Sequence, residues 1–96
     1  MIGIIATLKV QPGKNAELEA AFRDLAAQVK PNEPGALVYE LLKSRSEPDT
    51  YRVMELYRDQ AAVDHHTSTD YFKAGFARLK ATLDGPPGVE RLDGVG

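Results

Sequence analysis

The sequence predicts an α+β fold in which one antiparallel sheet of four strands is joined to helices in the order β-α-β-β-α-β. Two observations lead to this prediction. Segments in which apolar side chains alternate every second residue, as strands do, are interleaved with segments in which they recur every three or four residues, as helices do. Short stretches rich in proline, glycine and aspartate separate these segments, and such residues favour turns.

The first half of the chain contains a strand followed by a helix. Ile2–Val10 alternates apolar residues on one face and stops at the turn sequence Gln11-Pro12-Gly13. The residues Lys30–Gly35 (KPNEPG) are predicted to end the helix that follows, since proline and glycine disfavour helical conformations. The apolar stripe of that helix consists of Leu18, Phe22, Leu25, Ala26 and Val29.

The second half contains three more strands and a helical region. The predicted second strand is 36–45, the turn is 46–49, and the third strand is 50–58, which is rich in aromatic and β-branched residues. Asp59 is a suitable N-cap for a short helix, and 89–92 is predicted to form a short last strand. A second helical segment, capped by Thr67, Ser68 or Thr69, carries the stripe Phe72, Phe76, Leu79 and Leu83.

The element order is that of ferredoxin-like folds, and no linker divides the chain, so we expect one domain over residues 1–96. Two helices can cover only one face of such a sheet. The second strand nevertheless places Leu37, Tyr39 and Leu41 on one face and Val38 and Leu42 on the other. A second apolar face requires a cover, and we expect a second copy of the chain to supply it in a two-fold homodimer.

Composition excludes several classes of partner. The 96 residues include 12 basic and 14 acidic side chains. The chain has no run of basic residues with interleaved aromatics, so we do not expect nucleic acid as a partner. The lack of cysteine excludes disulfides, thiolate catalysis and zinc knuckles, and agrees with the cytoplasmic location that we expect. Neither a signal peptide nor a stretch of about 20 apolar residues is evident, so we expect no membrane partner.

The sequence DHHTSTDYF, residues 64–72, contains the only two histidines of the chain. Adjacent residues of a helix point about 100° apart, so this pair cannot bind one metal ion from a single turn. His66 lies three and four residues after Val63 and Ala62, which mark the apolar side of the helix. We therefore predict that His66 points inward and that His65 lies at the surface.

Three stretches resemble the antibiotic biosynthesis monooxygenase domain, a family of dimeric α+β barrels. VQPGKNAELEAAF is similar to the opening of that domain. The central stretch EPGALVYELLKSRSEPDTYRVMELYRD and the later stretch AAVDHHTSTDYFKA are similar to its middle part and its histidine motif. The resemblance extends over nearly the whole chain. It implies a dimeric α+β barrel and an oxygenase activity that requires neither metal, heme nor flavin.

The resemblance also implies which residues are functional. The family histidine corresponds to His66, by its spacing to Thr69 and Phe72, and the family glutamate at the end of the third strand corresponds to Glu55. Many relatives carry tryptophan where this chain has Tyr57, and heme-degrading relatives carry asparagine where it has Thr7. Both differences argue against heme degradation.

The expected reaction is a monooxygenation of a quinol-like or phenolic aromatic molecule by dioxygen. His66 would accept a proton from the substrate, and Glu55, if it contacts His66, would orient the imidazole. Two alternatives remain open: an isomerase or tautomerase-like enzyme that uses the same base, and a non-catalytic dimer that binds a small hydrophobic ligand. The residues expected to line the substrate pocket are Thr7, Tyr39, Tyr57, Phe72 and Phe76.

Overall fold

A computed structural model describes all residues of the chain, Met1–Gly96, and confirms the predicted fold. The second helical region consists of a short helix and a second helix, as the two predicted caps indicate. None of the three helices combines the length and the apolar character needed to cross a membrane. The elements are β1 (Ile2–Lys9), α1 (Asn15–Asn32), β2 (Ala36–Lys43), β3 (Thr50–Tyr57), α2 (Gln60–Ser68), α3 (Asp70–Lys80) and β4 (Gly88–Asp93).

The four strands form one antiparallel sheet in the order β2-β3-β1-β4, with β1 and β3 in the centre. The helices pack on one side of it, which we call the helix face. The alternation of β1 is as predicted, since Ile4, Leu8 and Val10 are buried beneath the helices. In the register of the sheet, Ile4 lies opposite Glu55 of β3 and also opposite Arg91 of β4.

Helix α1 continues further than the sequence predicts. It passes through Pro31 and ends at Asn32, where a proline removes only one of the last intrahelical hydrogen bonds. The backbone N–H of Glu33 donates to the carbonyl of Val29 at 2.9 Å and closes the final turn. The prediction that Lys30 begins the interruption was therefore wrong, and the extra turn carries Glu33 into the interior, where it is 3% exposed.

Two polar caps set the boundaries of α2 and α3. The side chain of Asp59 accepts a hydrogen bond from the N–H of Ala62 at 2.9 Å, which confirms the predicted N-cap. The hydroxyl of Thr69 accepts from the N–H of Phe72 at 3.2 Å, so Thr69 is the cap among the three predicted candidates. Leu83 is not helical as predicted; it is buried beyond the end of α3 and bridges to Val10.

The opposite side of the sheet, the bare face, has no helix over it. One prediction about the strands was wrong, since Leu37 does not share a face with Tyr39. The pairing of β2 with β3 shifts between Ala36 and Val38 and leaves Leu37 as an extra, unpaired residue. Leu37 is 48% exposed. Several apolar side chains of the bare face are also exposed, namely Val38 (38%), Leu42 (48%), Met54 (44%) and Leu92 (42%).

Candidate active site

The two histidines of α2 have opposite surroundings. His66 is 2% exposed, whereas His65 lies at the surface, as the helical spacing predicts. The His66 imidazole packs among three aromatic rings, with centroid distances of 5.1 Å to Tyr39, 5.5 Å to Tyr57 and 4.6 Å to Phe72. The environment of the imidazole is therefore largely apolar, and a hydrogen bond to the ring is electrostatically stronger there than in water.

Glu33, rather than Glu55, contacts His66. Nδ1 of the imidazole lies 2.9 Å from Oε1 and 3.1 Å from Oε2 of Glu33, and both side chains are almost fully buried. Glu55 was expected to orient the ring only if it contacts His66, and it makes no such contact, because its carboxylate is hydrogen-bonded to Tyr57 instead. The resemblance had included the glutamate of EPGALVYELL but gave it no role, and a glutamate between two prolines ordinarily indicates an exposed loop.

The contact with Glu33 determines which nitrogen of His66 is free. Because carboxylate oxygens only accept hydrogen bonds, Nδ1 carries the hydrogen in this arrangement. In a neutral imidazole the lone pair then lies on Nε2. Nε2 is buried and has no hydrogen-bond partner in the chain. Buried polar atoms are rarely left unpaired, so this atom is a candidate contact for a ligand.

The half-buried Tyr71 completes a hydrogen-bonded group with Glu33 and His66 that the sequence did not indicate. Its hydroxyl donates to Oε2 of Glu33, so the carboxylate accepts from both Tyr71 and His66. Burial and this hydrogen bond to Glu33 raise the pKa of Tyr71 to about 12, and the hydroxyl therefore stays protonated at neutral pH. The only sequence signal was an aromatic residue two positions after the cap Thr69, and its role depends on a contact 38 residues away.

Glu55 lies on the helix face in a different environment. The hydroxyl of Tyr57 donates to its Oε1 at 2.5 Å. Burial raises the pKa of Glu55, and the hydrogen bond from Tyr57 and the nearby His66 and Arg91 oppose this shift. Burial likewise raises the pKa of Tyr57, which is fully buried behind Glu55. Tyr57 thus supports Glu55 and does not line the cavity described next.

A cavity of about 150 Å³ lies between the helix face and helices α2 and α3. Ten of its 15 lining residues are hydrophobic. Of the expected substrate-binding residues, Tyr39, Phe72 and Phe76 line it, together with both expected catalytic residues, His66 and Glu55. The other lining residues are Ile4, Ala6, Leu8, Val53, Val63, Thr67, Leu79, Pro87, Val89 and Arg91.

Thr7 does not belong to this cavity. The residues of β1 that line it are Ile4, Ala6 and Leu8, and successive side chains of a strand point to opposite faces. Thr7 therefore lies on the bare face, opposite Arg52 of β3. The expectation that it binds substrate was wrong, and strict alternation along β1 would have excluded it.

The arrangement suits proton transfer more than metal binding. No group of three or more His, Cys, Asp or Glu side chains is placed so as to hold a metal ion. His66 instead lines a mainly apolar cavity, with Nε2 buried and unpaired and Nδ1 fixed by a buried carboxylate. A base held in this way can take a proton from a ligand hydroxyl that lies within hydrogen-bonding distance.

Comparison with known proteins identifies the same family that the sequence motifs resemble. The family profile described as antibiotic biosynthesis monooxygenase matches residues 1–78. YcnE of Bacillus subtilis, named as a candidate monooxygenase, is 30% identical over 93 residues, which are 97% of each chain.

Solved structures show the same architecture. A crystal structure of a candidate antibiotic biosynthesis monooxygenase from Caulobacter crescentus is 55% identical in sequence and superposes with a TM-score of 0.95, covering 99% of this chain and 90% of that one. A structure from Nitrosomonas europaea, described in the same terms, has a TM-score of 0.92 at 20% identity over the full length of both chains. At 20% identity, the similarity to the Nitrosomonas europaea structure shows a shared fold only.

Proposed function

Because this chain belongs to the antibiotic biosynthesis monooxygenase family, we propose that it is a cofactor-independent monooxygenase acting on a quinol-like or phenolic small molecule. One observation supports this proposal above the others. His66 lines a mainly apolar cavity, its Nε2 is buried without a hydrogen-bond partner, and its Nδ1 is held by Glu33. An aromatic hydroxyl in the cavity would supply the missing partner of Nε2.

The proposed reaction starts with a proton transfer. The substrate hydroxyl gives its proton to Nε2 of His66, and the resulting phenolate is electron-rich enough to reduce dioxygen directly. With 1,4-dihydroxybenzene as substrate, the balanced outcome is one hydroxybenzoquinone and one water from one substrate and one dioxygen. One oxygen atom enters the ring and the other leaves as water, so dioxygen supplies both the inserted atom and the oxidant.

Two features of the site assist that proton transfer. Glu33 stabilises the imidazolium that forms, because its carboxylate stays hydrogen-bonded to Nδ1 when the ring becomes positively charged. The apolar walls, which include Phe72 and Phe76, limit the access of water to the anionic substrate. Glu55 lines the same cavity and is in position to contact a second polar group of the substrate.

The proposal includes a homodimer that acts in the cytoplasm. The bare face exposes apolar side chains from β2, β3 and β4, among them Leu42, Met54 and Leu92. Large exposed apolar side chains on neighbouring strands of a small chain indicate an interaction site. The same surface on a second copy is self-complementary around a two-fold axis, so a copy of this chain is the partner that we propose.

The test is oxygen uptake with 1,4-dihydroxybenzene by the wild-type protein, His66→Ala and the control His65→Ala. We expect His66→Ala to lower the rate by roughly 10²- to 10⁴-fold, as for a lost general base, and His65→Ala to change it little. Circular dichroism and sedimentation establish that both variants keep the fold and assembly of the wild type.

Other outcomes separate the alternatives. Equal activity in the two variants, or a larger loss in His65→Ala, would contradict the choice of base. Proton exchange or isomerisation of a ligand without oxygen uptake would indicate the tautomerase-like enzyme. Saturable ligand binding without any turnover would indicate a non-catalytic binding protein.

A further inference from the structure

In the sheet that borders the cavity, one apolar residue lies between two charged or ionisable residues. In the sheet register, Glu55 of β3 lies opposite Ile4 of β1, and Ile4 lies opposite Arg91 of β4. The three residues therefore form one row across the helix face, and all three line the cavity. The neighbouring row, Val53, Ala6 and Val89, is entirely apolar.

Arg91 is exposed and forms no direct ion pair in the chain, although its charge favours the ionised form of nearby Glu55. The ion pairs of the chain involve Lys14, Lys30, His66 and Arg78, and none of them involves Arg91. The guanidinium is permanently charged and has five N–H donors that suit a carboxylate or a similar anionic group. An unpaired arginine at the rim of an apolar cavity is thus positioned to bind an anionic substituent of whatever occupies that cavity.

The volume of the cavity suits a ligand with one ring. A volume of about 150 Å³ is that of an apolar protein cavity that holds a single benzene molecule. Phe72 and Phe76 stack against each other with a centroid distance of 5.6 Å and contribute flat walls. A fused system of several rings would extend beyond this volume toward the exposed side chains of Val89 and Arg91.

From these observations we propose that the substrate is a single-ring phenol or hydroquinone that carries a carboxylate, and that Arg91 binds this carboxylate. The inference rests on the proposed function. Ile4 lies between Arg91 and Glu55, so a ligand carboxylate bound to Arg91 lies away from the Glu55 carboxylate. The ring of the ligand then covers the apolar row of Val53, Ala6 and Val89. The phenolic hydroxyl is then directed toward His66 and Glu55. Arg91 would therefore determine specificity and take no part in the proton transfer.

The test compares two ligands that differ only by the carboxylate, 2,5-dihydroxybenzoate and 1,4-dihydroxybenzene. Their binding is measured calorimetrically without oxygen, so that no turnover is required. We expect the wild type to bind the carboxylate at least about tenfold more tightly, as for a hydrogen bond between charged groups. Arg91→Met should abolish this preference and change the affinity for 1,4-dihydroxybenzene less than about twofold.

Two further variants serve as matched controls. Arg91→Lys retains the charge and should keep part of the preference. Arg45→Met removes an exposed arginine that lies outside the cavity and should bind both ligands as the wild type does. Equal affinity of the wild type for the two ligands, a preference that survives in Arg91→Met, or no binding of 2,5-dihydroxybenzoate at millimolar concentration would overturn the inference. Binding with the expected preference but without oxygen uptake would instead contradict only the monooxygenase proposal.

Discussion

The two faces of the sheet use alternate residues of the same strands, yet they differ in almost every property. On the helix face, Tyr57 is fully buried and His66 is held by a carboxylate beneath the helices. On the bare face, Leu42 and Met54 are 48% and 44% exposed. The difference arises from what covers each face, because one chain supplies helices for only one of them.

This comparison separates the site from the assembly. The polar groups to which we assign chemistry, His66, Glu33 and Glu55, all belong to the helix-covered side and make their contacts within one chain. The apolar groups to which we assign association lie on the other side. Substitutions on the two faces should therefore alter different measurements, and the predictions below use this separation.

The largest effect is expected in the core of the helix face. Leu8 is 2% exposed, and Leu8→Ala should lower the free energy of unfolding by about 2–5 kcal/mol because it leaves a cavity beneath the helices. Urea unfolding measures this loss. Leu42→Ala is the matched substitution on the bare face and should lower the free energy less, through weaker association. A larger loss in Leu42→Ala would contradict the view that the helix face holds the core.

A charge on the bare face should act on assembly. Met54→Glu places two carboxylates at the proposed two-fold interface, and we expect the dimer dissociation constant to rise roughly 100-fold or more because buried charges without partners are costly. Sedimentation velocity at micromolar concentration measures the shift toward monomer. Met54→Leu keeps the volume and apolar character and should remain dimeric. A wild-type protein that is monomeric and stably folded would refute the proposed interface.

The partner of His66 should affect rate more than assembly. Glu33→Gln removes the carboxylate charge from Nδ1, and the amide can donate to that nitrogen and so leave the hydrogen on Nε2. We expect oxygen uptake to fall roughly 10- to 100-fold, as for a lost hydrogen bond to a charged group, while the dimer persists. Tyr71→Phe removes the other hydrogen bond to the Glu33 carboxylate and should lower the rate less. Unchanged rates in Glu33→Gln would show that the buried carboxylate does not position the base.

The smallest effect concerns pH. Burial raises the pKa of Glu55 above its value in the unfolded chain, so the folded state binds more protons between those two pKa values. The free energy of unfolding should therefore fall as pH rises through this range, and stay reduced above it. Glu55→Gln keeps an acceptor for Tyr57 and should show a weaker decline with pH. Urea titrations from pH 4 to pH 8 measure both profiles, and a steeper decline in the variant would contradict this role of burial.

Much of the fold followed from the sequence because it depends on local periodicity. The alternation of β1 placed Ile4 and Leu8 in the core, and helical spacing selected His66 over His65 as the inward-facing histidine. The same alternation excludes Thr7 from the cavity, because Thr7 points to the opposite face from the lining residues Ala6 and Leu8.

The partner of His66 could not be predicted in this way. Its contact with Glu33 spans 33 residues of sequence and depends on α1 continuing through Pro31 to bring the carboxylate inward. Hydrophobic periodicity and turn residues predict local structure and cannot predict a hydrogen bond between side chains so far apart in the sequence. Glu55 was the plausible choice from its place on β3, but Tyr57 on the same strand occupies one of its oxygens.

The central claim is that Glu33 holds the hydrogen of His66 on Nδ1 and leaves Nε2 free toward the cavity. Long-range ¹H–¹⁵N correlation spectra of the imidazoles, recorded at a pH at which the ring is neutral, distinguish the two nitrogens directly. The account predicts that His66 in the wild type carries its hydrogen on Nδ1, and that addition of 1,4-dihydroxybenzene without oxygen shifts the resonance of Nε2 while His65 is unaffected. A hydrogen on Nε2 of His66 in the free protein, or a ligand that shifts His65 instead, would contradict it.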